Sequence, residues 1–380
     1  MDRPIRILHL IEALGLGGAE RRLSADLRHL SEDPRFLNHV CILYNDTALA
    51  PELEAANVRV SRLGMRGIYD AWKGVWQLRS VLREVKPDIL HTQLFGADLY
   101  GRILGRLSGC RVVSTFQSSV HEPTNPYLFS RKRRALDRLT SHLVDRFVAV
   151  SEFVKASIVK QLGIAPEKID VIHNYVDFES FSKVDSARVS SLRQAFGFKE
   201  ETKVLLTVGR LDPPKGHAYL LEAFKEILQE NRDVRLLVVG EGPAESSLRR
   251  LADDFRLNGS VFFLGLRKDV PELLGLSDIF VLPTLSEGFP MTLLEAVAFR
   301  KPCIASRVGP ILEVLEDGVT GLLTDPASAR QIADAIRLCL RDAEEARRIG
   351  ERAYDRARQK FDTLMAIGKL KRFYERVMDG

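Results

Sequence analysis

The sequence predicts an α/β protein with two doubly wound parallel sheets. Short apolar segments rich in Val, Ile and Leu alternate with amphipathic helical segments along almost all of the 380 residues. This alternation runs through the chain twice, and a polar stretch separates the two series. The chain is also longer than one hydrophobic core usually serves, which favours two domains.

The first series contains seven predicted strands, and most of them lack a strict apolar–polar alternation, as buried parallel strands do. These strands are residues 5–11, 38–44, 58–63, 88–92, 111–116, 146–150 and 169–172. Helical patterns fill the gaps, the longest over 127–145. We expect a first domain over 1–178 that opens on a strand and not on a signal peptide.

A polar, serine-rich segment over 179–202 is predicted to be a linker with one short helix. The second domain is expected over 203–360. Its predicted strands are residues 204–209, 234–240, 261–265, 278–284 and 303–306. Apolar residues at helical spacing predict a last helix over 361–380, whose apolar face packs either on the second domain or back on the first.

The composition excludes several protein classes. Hydrophobic residues make up 45%, charged residues 28%, and the mean hydropathy is −0.08, which is ordinary for a soluble globular protein. No apolar stretch reaches the roughly 18–20 residues that span a bilayer. The net charge is +5, and residues 1–180 carry +4 of it, with 25 basic and 21 acidic residues. This excess indicates an anionic partner of the first domain but is too small to predict nucleic-acid binding.

The cysteines and carboxylates predict neither a metal site nor a cofactor. Cys41, Cys110, Cys303 and Cys339 form no Cys-x-x-Cys pair, and buried free thiols fit a reducing, cytoplasmic compartment. No Asp-x-Asp occurs in the chain, although metal-dependent sugar-nucleotide enzymes commonly use such a pair.

The strongest signal for a ligand site is SEGFPMTLLEAVAF, residues 286–299, which follows a predicted strand. Pro290 suits the first turn of a helix. Backbone amides just after it would be free donors at the positive end of the helix dipole, which is an arrangement that binds phosphate. These amides belong to Met291, Thr292 and Leu293.

Two carboxylates flank this helix start. Glu287 lies before the helix and Glu295 within it, at most about 12 Å apart along a helix axis. They can bracket a diphosphate and bind hydroxyl groups of a sugar and a ribose. The simpler alternative is that Glu287 is a favourable first-turn charge and that Glu295 is solvated.

The segment VGRLDPPKGH, residues 208–217, supplies two cations at the end of another strand. Arg210 ends the strand, and Lys215 stands where a helix begins, so that its charge opposes the helix dipole unless an anion joins it. Both side chains suit a diphosphate. A strand-end arginine and a solvated lysine are the structural alternative.

Glycine turns and strand ends add weaker candidates. GLGGAE, residues 15–20, allows close backbone approach at Gly17 and Gly18, but Glu20 breaks the dinucleotide-binding pattern. The segment GEGP, residues 240–243, places Gly242 in a tight turn against which a flat base can pack. Asn174 and Ser151 also end predicted strands of the first domain.

Taken in order, these segments resemble the retaining glycosyltransferases of the GT-B fold, specifically glycosyltransferase family 4, also called glycosyl transferases group 1. The resemblance runs over nearly the whole chain, through GLGGAE, VAVSE, VIHNYVD, VGRLDPPKGH, VGEGP, LPTLSEGFPMTLLEA and TGLL. It implies two Rossmann-like domains facing a central cleft and a last helix that crosses back to the first domain.

The resemblance also implies roles for individual residues. Glu287 would contact the donor sugar and Glu295 the ribose. Arg210 and Lys215 would bind the diphosphate, which Gly17 and Gly18 approach from the other domain. Further donor contacts are expected from Asn174, Gly242, Gly288, Phe289, Pro290, Met291, Thr292 and Leu293.

The chain departs from the family pattern on the acceptor side. Gln93 and Gln117 stand where many relatives carry histidine, and Tyr175 stands where glycine is frequent. Gln117 is expected near the reacting sugar, where it can hydrogen-bond a hydroxyl but cannot act as a base. His121, four residues later, is a candidate replacement.

These observations predict a retaining transfer from a nucleotide-diphosphate sugar to a hydroxyl of a glycan or a lipid-linked acceptor, in cell-envelope glycan, polysaccharide or glycolipid synthesis. Two alternatives stay open, namely a nucleotide-sugar epimerase of the same fold and a non-catalytic subunit that binds the nucleotide sugar. Peripheral contact with an anionic membrane on its inner face is a further hypothesis. It rests on Arg131, Lys132, Arg133, Arg134 and Arg138. The alternative is that these cations are solvated while the apolar side of the helix packs on the sheet through Leu136, Leu139, Leu143 and Val144.

Overall fold

The computed structural model of the chain describes residues 3–15, 17–67, 70–118, 130–181 and 183–379. It divides into two compact units. The first unit is Met1–Asn174 with Leu364–Gly380, and the second unit is Tyr175–Thr363. Each unit has its own parallel β-sheet, so the α/β, doubly wound class predicted from the sequence is confirmed.

The sheet of the first unit has, over the described residues, seven parallel strands in the order β3-β2-β1-β4-β5-β6-β7. The strands are β1 (Ile5–Ile11), β2 (Phe36–Ile42), β3 (Arg59–Arg62), β4 (Ile89–Gln93), β5 (Arg111–Phe116), β6 (Arg146–Ala149) and β7 (Ile169–Val171). The chain order reverses between β1 and β4, and ligands of such sheets bind at the strand ends beside this switch point.

The sheet of the second unit has, over the described residues, six parallel strands in the order β10-β9-β8-β11-β12-β13. They are β8 (Lys203–Val208), β9 (Val234–Val239), β10 (Val261–Phe263), β11 (Ile279–Leu282), β12 (Cys303–Ser306) and β13 (Leu322–Thr324). Sequence analysis missed β13, because its two leucines lie between Gly321 and the polar segment 324–326 without a longer apolar run. The switch point of this sheet lies between β8 and β11.

Helices connect successive strands in both units. The first unit contains α1 (Gly18–Ser31), α2 (Ala50–Ala55), α3 (Ala71–Val85), α4 (Phe95–Leu107), α5 (Arg131–Thr140) and α6 (Glu152–Leu162). The second contains α7 (Phe178–Phe181), α8 (Ser186–Ala195), α9 (His217–Glu230), α10 (Glu245–Asp254), α11 (Val270–Leu276), α12 (Met291–Ala298), α13 (Ile311–Val314), α14 (Ala329–Arg341) and α15 (Ala343–Phe361). The chain ends with α16 (Thr363–Asp379).

The segment predicted as a linker belongs to the second unit and has, besides the one predicted helix, α8, the last three residues of α7. Helix α8 packs on α11, where a Cβ on Gly275 would lie 2.9 Å from a methyl carbon of Val189. The predicted polar character was correct, since no residue of α8 is buried.

Helix α16 packs on the sheet of the first unit, the second of the two alternatives left open by the sequence. Its apolar face joins the core formed by β1, β4 and β5, through Leu370, Phe373, Tyr374 and Val377. A hydrogen bond of 2.7 Å also joins the Tyr374 hydroxyl to Nδ1 of the buried His91.

Helix α5 lies within the helix predicted over 127–145, of which residues 127–129 are outside the described residues, and a 3-10 turn follows it at Ser141–Leu143. Arg102 of α4 holds α5 in place. It is fully buried and donates to Asp137 (2.8 Å) and Thr140 (3.0 Å). Of the apolar side chains proposed to pack on the sheet, Val144 is buried, whereas Leu136 and Leu139 are exposed.

Candidate functional site

The loops that follow β8 and β11 meet beside the switch point of the second sheet. The Pro214 carbonyl accepts hydrogen bonds from the Leu285 amide at 2.7 Å and from the Thr284 hydroxyl at 3.2 Å. Residues from two distant parts of the sequence are thereby held together at the strand ends, which is the usual ligand position in such sheets.

Lys215 and Glu287 form an ion pair across these two loops. Lys215 Nζ donates to Glu287 Oε1 at 2.6 Å. The side chain of Glu287 is 10% exposed and that of Lys215 27%, so the pair is largely shielded. Two residues that sequence analysis named in separate segments therefore contact each other directly.

Gly216 fixes the position of Lys215. Its φ angle of 68° lies in the left-handed region, and a Cβ at this residue would collide with the Pro283 carbonyl oxygen. Helix α9 begins immediately afterwards. A glycine is therefore required for the chain to turn from Lys215 into the helix.

Burial and, as a smaller contribution, the charge of Lys215 lower the pKa of His217, the first residue of α9, to about 4. The imidazole behind Lys215 is therefore neutral at physiological pH. Lys215 supplies the positive charge at this helix start.

Helix α12 begins beside Glu287, with Pro290 as its N-cap residue. The expectation of three free amides needs one correction, because the Met291 amide donates to the Phe289 carbonyl at 3.1 Å. Within the described part of the chain, the amides of Thr292 and Leu293 contact no acceptor. Two donors at the positive end of a helix remain for an anion.

Other residues predicted around this helix contribute backbone and packing. The Phe289 ring is buried against Phe361, with ring centroids 5.4 Å apart. The side chain of Leu293 is in the core, and Pro290 is buried. Glu295 is half-buried on the helix.

Arg210 lies after β8 and is directed to a different partner from the one expected. Its Nε lies 2.9 Å from Asp212 Oδ2 in an ion pair, and the side chain is 69% exposed. An exposed side chain can exchange this carboxylate for a phosphate at little cost. The expected diphosphate contact of Arg210 thus requires a change of rotamer.

Gly242 packs tightly against the loop that carries Arg210. A Cβ at Gly242 would lie 2.5 Å from the Leu211 carbonyl oxygen. The Leu211 amide donates to the Glu241 carbonyl at 2.9 Å, which binds the two loops together. The glycine in GEGP is therefore needed for the packing of the β8 loop.

In the first unit, the glycine turn after β1 is surrounded by carboxylates. Gly17 is the N-cap residue of α1, and a Cβ on Gly17 would meet the Glu20 carboxylate. Burial raises the pKa of Glu20, and the charges of Asp46 and Glu12 raise it further. Gly18 borders open space. These carboxylates favour hydroxyl groups at this turn and oppose a phosphate.

Arg22 is a residue of this region that sequence analysis missed. It is buried and its Nη1 donates to the Asn174 side chain at 3.0 Å and to the His173 carbonyl at 2.8 Å. Its Nε also donates to Asp26 at 2.8 Å. Asn174 is therefore held in one orientation from α1. The sequence signal was the position of Arg22 in α1, directly before Leu23, which is buried together with Leu27 and Leu30.

Gln117 and Gln93 lie together at the ends of β5 and β4. Gln117 Nε2 donates to Gln93 Oε1 at 2.9 Å, and Gln93 is buried. This bond leaves Gln117 Oε1 to accept from a ligand. Ser151, the other strand-end candidate, caps α6 by accepting from the Val154 amide at 3.0 Å. His121 lies outside the described residues.

Comparison with known proteins identifies the family. The family described as glycosyltransferase family 4 matches residues 16–180, and the family described as glycosyl transferases group 1 matches residues 189–356. The chain belongs to glycosyltransferase family 4. Nucleotide-sugar transferases are therefore its relatives.

Curated relatives of this family 4 chain act on several acceptors. It is 33% identical over 240 residues to the UDP-Gal:α-D-GlcNAc-diphosphoundecaprenol α-1,3-galactosyltransferase of Escherichia coli, and this covers 62% of each chain. It is 32% identical over 216 residues to the N-acetyl-α-D-glucosaminyl L-malate synthase of Bacillus anthracis, covering 57% of this chain and 56% of the relative. The chain thus spans less than two thirds of the length of these two relatives.

Solved structures of similar fold cover the chain almost completely. HepE of Anabaena, in complex with UDP and glucose, has a TM-score of 0.87 at 24% identity and covers 98% of this chain and 99% of that one. The sucrose-phosphate synthase of Thermosynechococcus elongatus has a TM-score of 0.84 at 19% identity, over 98% and 99% of the two chains. These neighbours show that the family 4 chain has the GT-B fold.

Two features are absent from the described part of this family 4 chain. No helix there is long and apolar enough to cross a bilayer. No group of three or more His, Cys, Asp or Glu side chains there is arranged to hold a metal ion.

Proposed function

We propose that the chain transfers a sugar from a nucleotide-diphosphate sugar to a hydroxyl acceptor, with retention of configuration, in cell-envelope glycan, polysaccharide or glycolipid synthesis. The observation that carries the proposal is the Lys215–Glu287 pair beside the free amides of α12, at the switch point of the second sheet. The cation and the amides at this edge of the sheet match the diphosphate of such a donor, and the carboxylate matches its hydroxyls.

The diphosphate is bound by Lys215 and by the amides of Thr292 and Leu293. Lys215 contributes a full charge, and the helix terminus contributes a partial one. Arg210 joins when its side chain leaves Asp212. Charge that develops on the leaving diphosphate is thus stabilised without any reorganisation of the backbone.

Glu287 orients the donor sugar. One of its oxygens accepts from Lys215, and its second oxygen is available to accept from a sugar hydroxyl. Glu295 binds the ribose in this scheme, as the family resemblance implies. A uridine nucleotide is the first donor to test, because the E. coli relative is named as a UDP-Gal enzyme.

The incoming hydroxyl is recognised on the first unit. Gln117 hydrogen-bonds this hydroxyl without removing its proton, and the carboxylates near Gly17 and Gly18 bind neighbouring hydroxyls. Asn174, fixed by Arg22, completes the polar edge. The bond between the anomeric carbon and the phosphate oxygen breaks, the bond to the acceptor oxygen forms on the same face, and the proton passes to the leaving diphosphate.

We also propose that the acceptor is lipid-linked and that α5 contacts the inner face of the cell membrane. Arg131, Lys132 and Arg138 are exposed, as are Leu136 and Leu139. Cations near an anionic bilayer contribute about 1 kcal/mol each. Peripheral attachment brings the transferase to an acceptor that does not leave the membrane.

A panel of nucleotide sugars tests the donor proposal. A true donor raises the melting temperature, since a ligand that binds only the folded state stabilises it by mass action. Transfer to a soluble acceptor analogue, with the product anomer determined by NMR, then tests the chemistry. Donor turnover that interconverts two nucleotide sugars without an acceptor would instead identify an epimerase, and binding without turnover a non-catalytic subunit.

A further inference from the structure

Both tryptophans of the chain are exposed on one helix. The sequence contains only Trp72 and Trp76, which lie one turn apart on α3. Trp72 is 74% exposed and Trp76 55%, and their rings make an edge-to-face contact with centroids 5.9 Å apart. Large aromatic side chains are costly to expose to water and usually have an apolar partner.

The tryptophans continue into a cationic stripe. Arg79 and Arg83 follow them at spacings of three and four residues, so the four side chains share one face of α3 over about 16 Å. Both arginines are exposed. The acidic neighbour, Glu84, is engaged by Arg59 at 2.6 Å, and it lies off this face.

The rest of α3 explains why this face is outward. Leu78 and Leu82 are buried in the core beneath the helix. Gly74 is also buried, and a Cβ there would collide with the Met65 side chain, so the helix lies close on its support. The orientation of the tryptophans is therefore set by packing on the opposite side of α3.

The helices that follow α3 also expose large apolar side chains. Helix α3 packs beside α4, and α4 packs beside α5. Leu107 of α4 is 78% exposed and Leu139 of α5 71%, and Arg131 and Lys132 are exposed on the same helix as Leu139. Three adjacent helices thus each present large apolar side chains together with cations. We call this surface the α3–α5 face.

We propose that the α3–α5 face docks on an anionic lipid bilayer, with Trp72 and Trp76 inserted at the boundary between headgroups and acyl chains. Tryptophan is favoured at this boundary because its ring is apolar and its indole N–H stays near water. Arg79 and Arg83 lie on the same face of α3, where they can bind the anionic headgroups of such a bilayer. Interfacial helices combine these same side chains.

An anionic bilayer fits this surface because three adjacent helices expose both cations and large apolar side chains. A surface that is cationic and apolar over three helices complements anionic headgroups above acyl chains. The inference does not depend on the proposed transfer reaction, because the α3–α5 face is tested by binding alone.

Intrinsic fluorescence provides a direct test, because both emitting residues lie on the proposed contact. The full chain is mixed with vesicles of phosphatidylglycerol and phosphatidylcholine, and separately with vesicles that contain brominated acyl chains. We expect the emission to shift to shorter wavelength and the bromine to quench it. Trp72→Ser leaves Trp76 as the single reporter, and Trp76→Ser leaves Trp72, so each position is read separately.

Vesicle sedimentation tests the contribution of the pair to affinity. Trp72→Ser with Trp76→Ser should weaken binding at least about tenfold, since interfacial affinity scales with the buried apolar area. Leu266→Ser, an equally exposed apolar site on the second unit, should leave it unchanged. Circular dichroism should show all variants folded, because the replaced side chains are exposed.

Three results would overturn the inference. One is vesicle binding with no shift and no quenching, which would place the tryptophans outside the contact. Another is the absence of binding to any vesicle. The third is a shift produced by soluble oligosaccharide or by polyglutamate but not by vesicles, which would assign the surface to a glycan or to an acidic protein.

Discussion

Lys215 and Glu287 are joined by a 2.6 Å hydrogen bond although 72 residues separate them in sequence. Each comes from the loop after one of the two strands beside the switch point of the second sheet. The pair keeps a cation and a carboxylate together at the start of α12. A diphosphate that binds there meets Lys215 directly, while Glu287 stays oriented towards the sugar.

Removal of the charged side chains of the site should lower turnover while the protein stays folded. Lys215→Ala, Glu287→Ala and Arg210→Ala should each lower turnover at least about tenfold, because each removes charge stabilisation or sugar orientation in the site. Steady-state kinetics with the donor found in the panel provides the measurement. Arg250→Ala, at an exposed arginine of α10, is the control and should stay near normal. Near-normal turnover in all three variants would refute the site.

Gly216→Ala should lower the stability of the second unit by more than about 1 kcal/mol, since alanine is strained where φ is positive. Gly197→Ala is a matched control. Gly197 has a φ of 67°, nearly that of Gly216, but a Cβ there meets nothing within 4 Å. The difference between the two variants in urea unfolding isolates the collision with Pro283. Equal losses would show that this close approach does not constrain the Lys215 loop.

Activity should survive EDTA. The proposal assigns diphosphate neutralisation to Lys215, Arg210 and the α12 terminus, and the sequence contains no Asp-x-Asp pair to hold a cation. Turnover is measured before and after chelation and again after addition of magnesium or manganese. A complete loss that either metal restores would contradict this assignment.

The first unit should lose stability as the pH falls below about 6.5. Burial lowers the pKa of His9 to about 4, and burial also lowers that of His91 well below its usual value. Both are neutral in the folded state, whereas in the unfolded chain they take up protons near pH 6.5. The folded state is therefore fully favoured above this pH, and its advantage declines towards pH 4, by roughly 3 kcal/mol for His9 alone.

Hydrogen exchange of the β1 amides between pH 7 and pH 5, corrected for intrinsic exchange, measures this effect. Asp98, whose pKa burial raises to about 6, acts in the opposite direction and reduces the net slope. His9→Gln removes one titrating group and should flatten the pH dependence. Parallel curves for the variant and the original chain would show that His9 is not responsible.

Local patterns in the sequence predicted most of the fold. Apolar segments and helix starts are decided by neighbouring residues, so twelve strands and the Lys215–Gly216 helix start were recognised. Strand β13 was missed because Leu322 and Leu323 are not part of a longer apolar run. Contacts between distant segments could not be predicted. The Lys215–Glu287 pair, the Arg22–Asn174 bond and the Met291–Phe289 bond depend on how strands are ordered and loops folded.

The sequence also did not show which side of α5 faces the core. Leu136 and Leu139 have the spacing of a core-facing side, but Arg102 anchors α5 through Asp137 and Thr140, which turns these leucines outward. A buried arginine on another helix, 35 residues away from Asp137, decided the outcome. Periodicity alone does not distinguish an inner face from an outer one.

The cations of α5 should make vesicle binding sensitive to salt. Arg131→Gln, Lys132→Gln and Arg138→Gln remove three exposed charges, and about 1 kcal/mol for each corresponds to roughly a hundredfold loss of affinity at low salt. Arg133 and Arg134 are left in place, because Arg133 stacks on Phe95 at 4.7 Å and Arg134 donates to Gln161 at 3.2 Å. Their loss would disturb the helix as well as the charge.

A charge-matched control separates this surface from net charge. The variant with Arg250→Gln, Arg256→Gln and Lys268→Gln removes the same number of exposed cations from the second unit and should bind anionic vesicles like the original chain. Raising the salt shortens the Debye length and should weaken the original chain far more than the α5 variant. Equal binding to anionic and neutral vesicles, or to neither, would favour a soluble acceptor, because the cations of α5 would then contribute nothing to membrane binding.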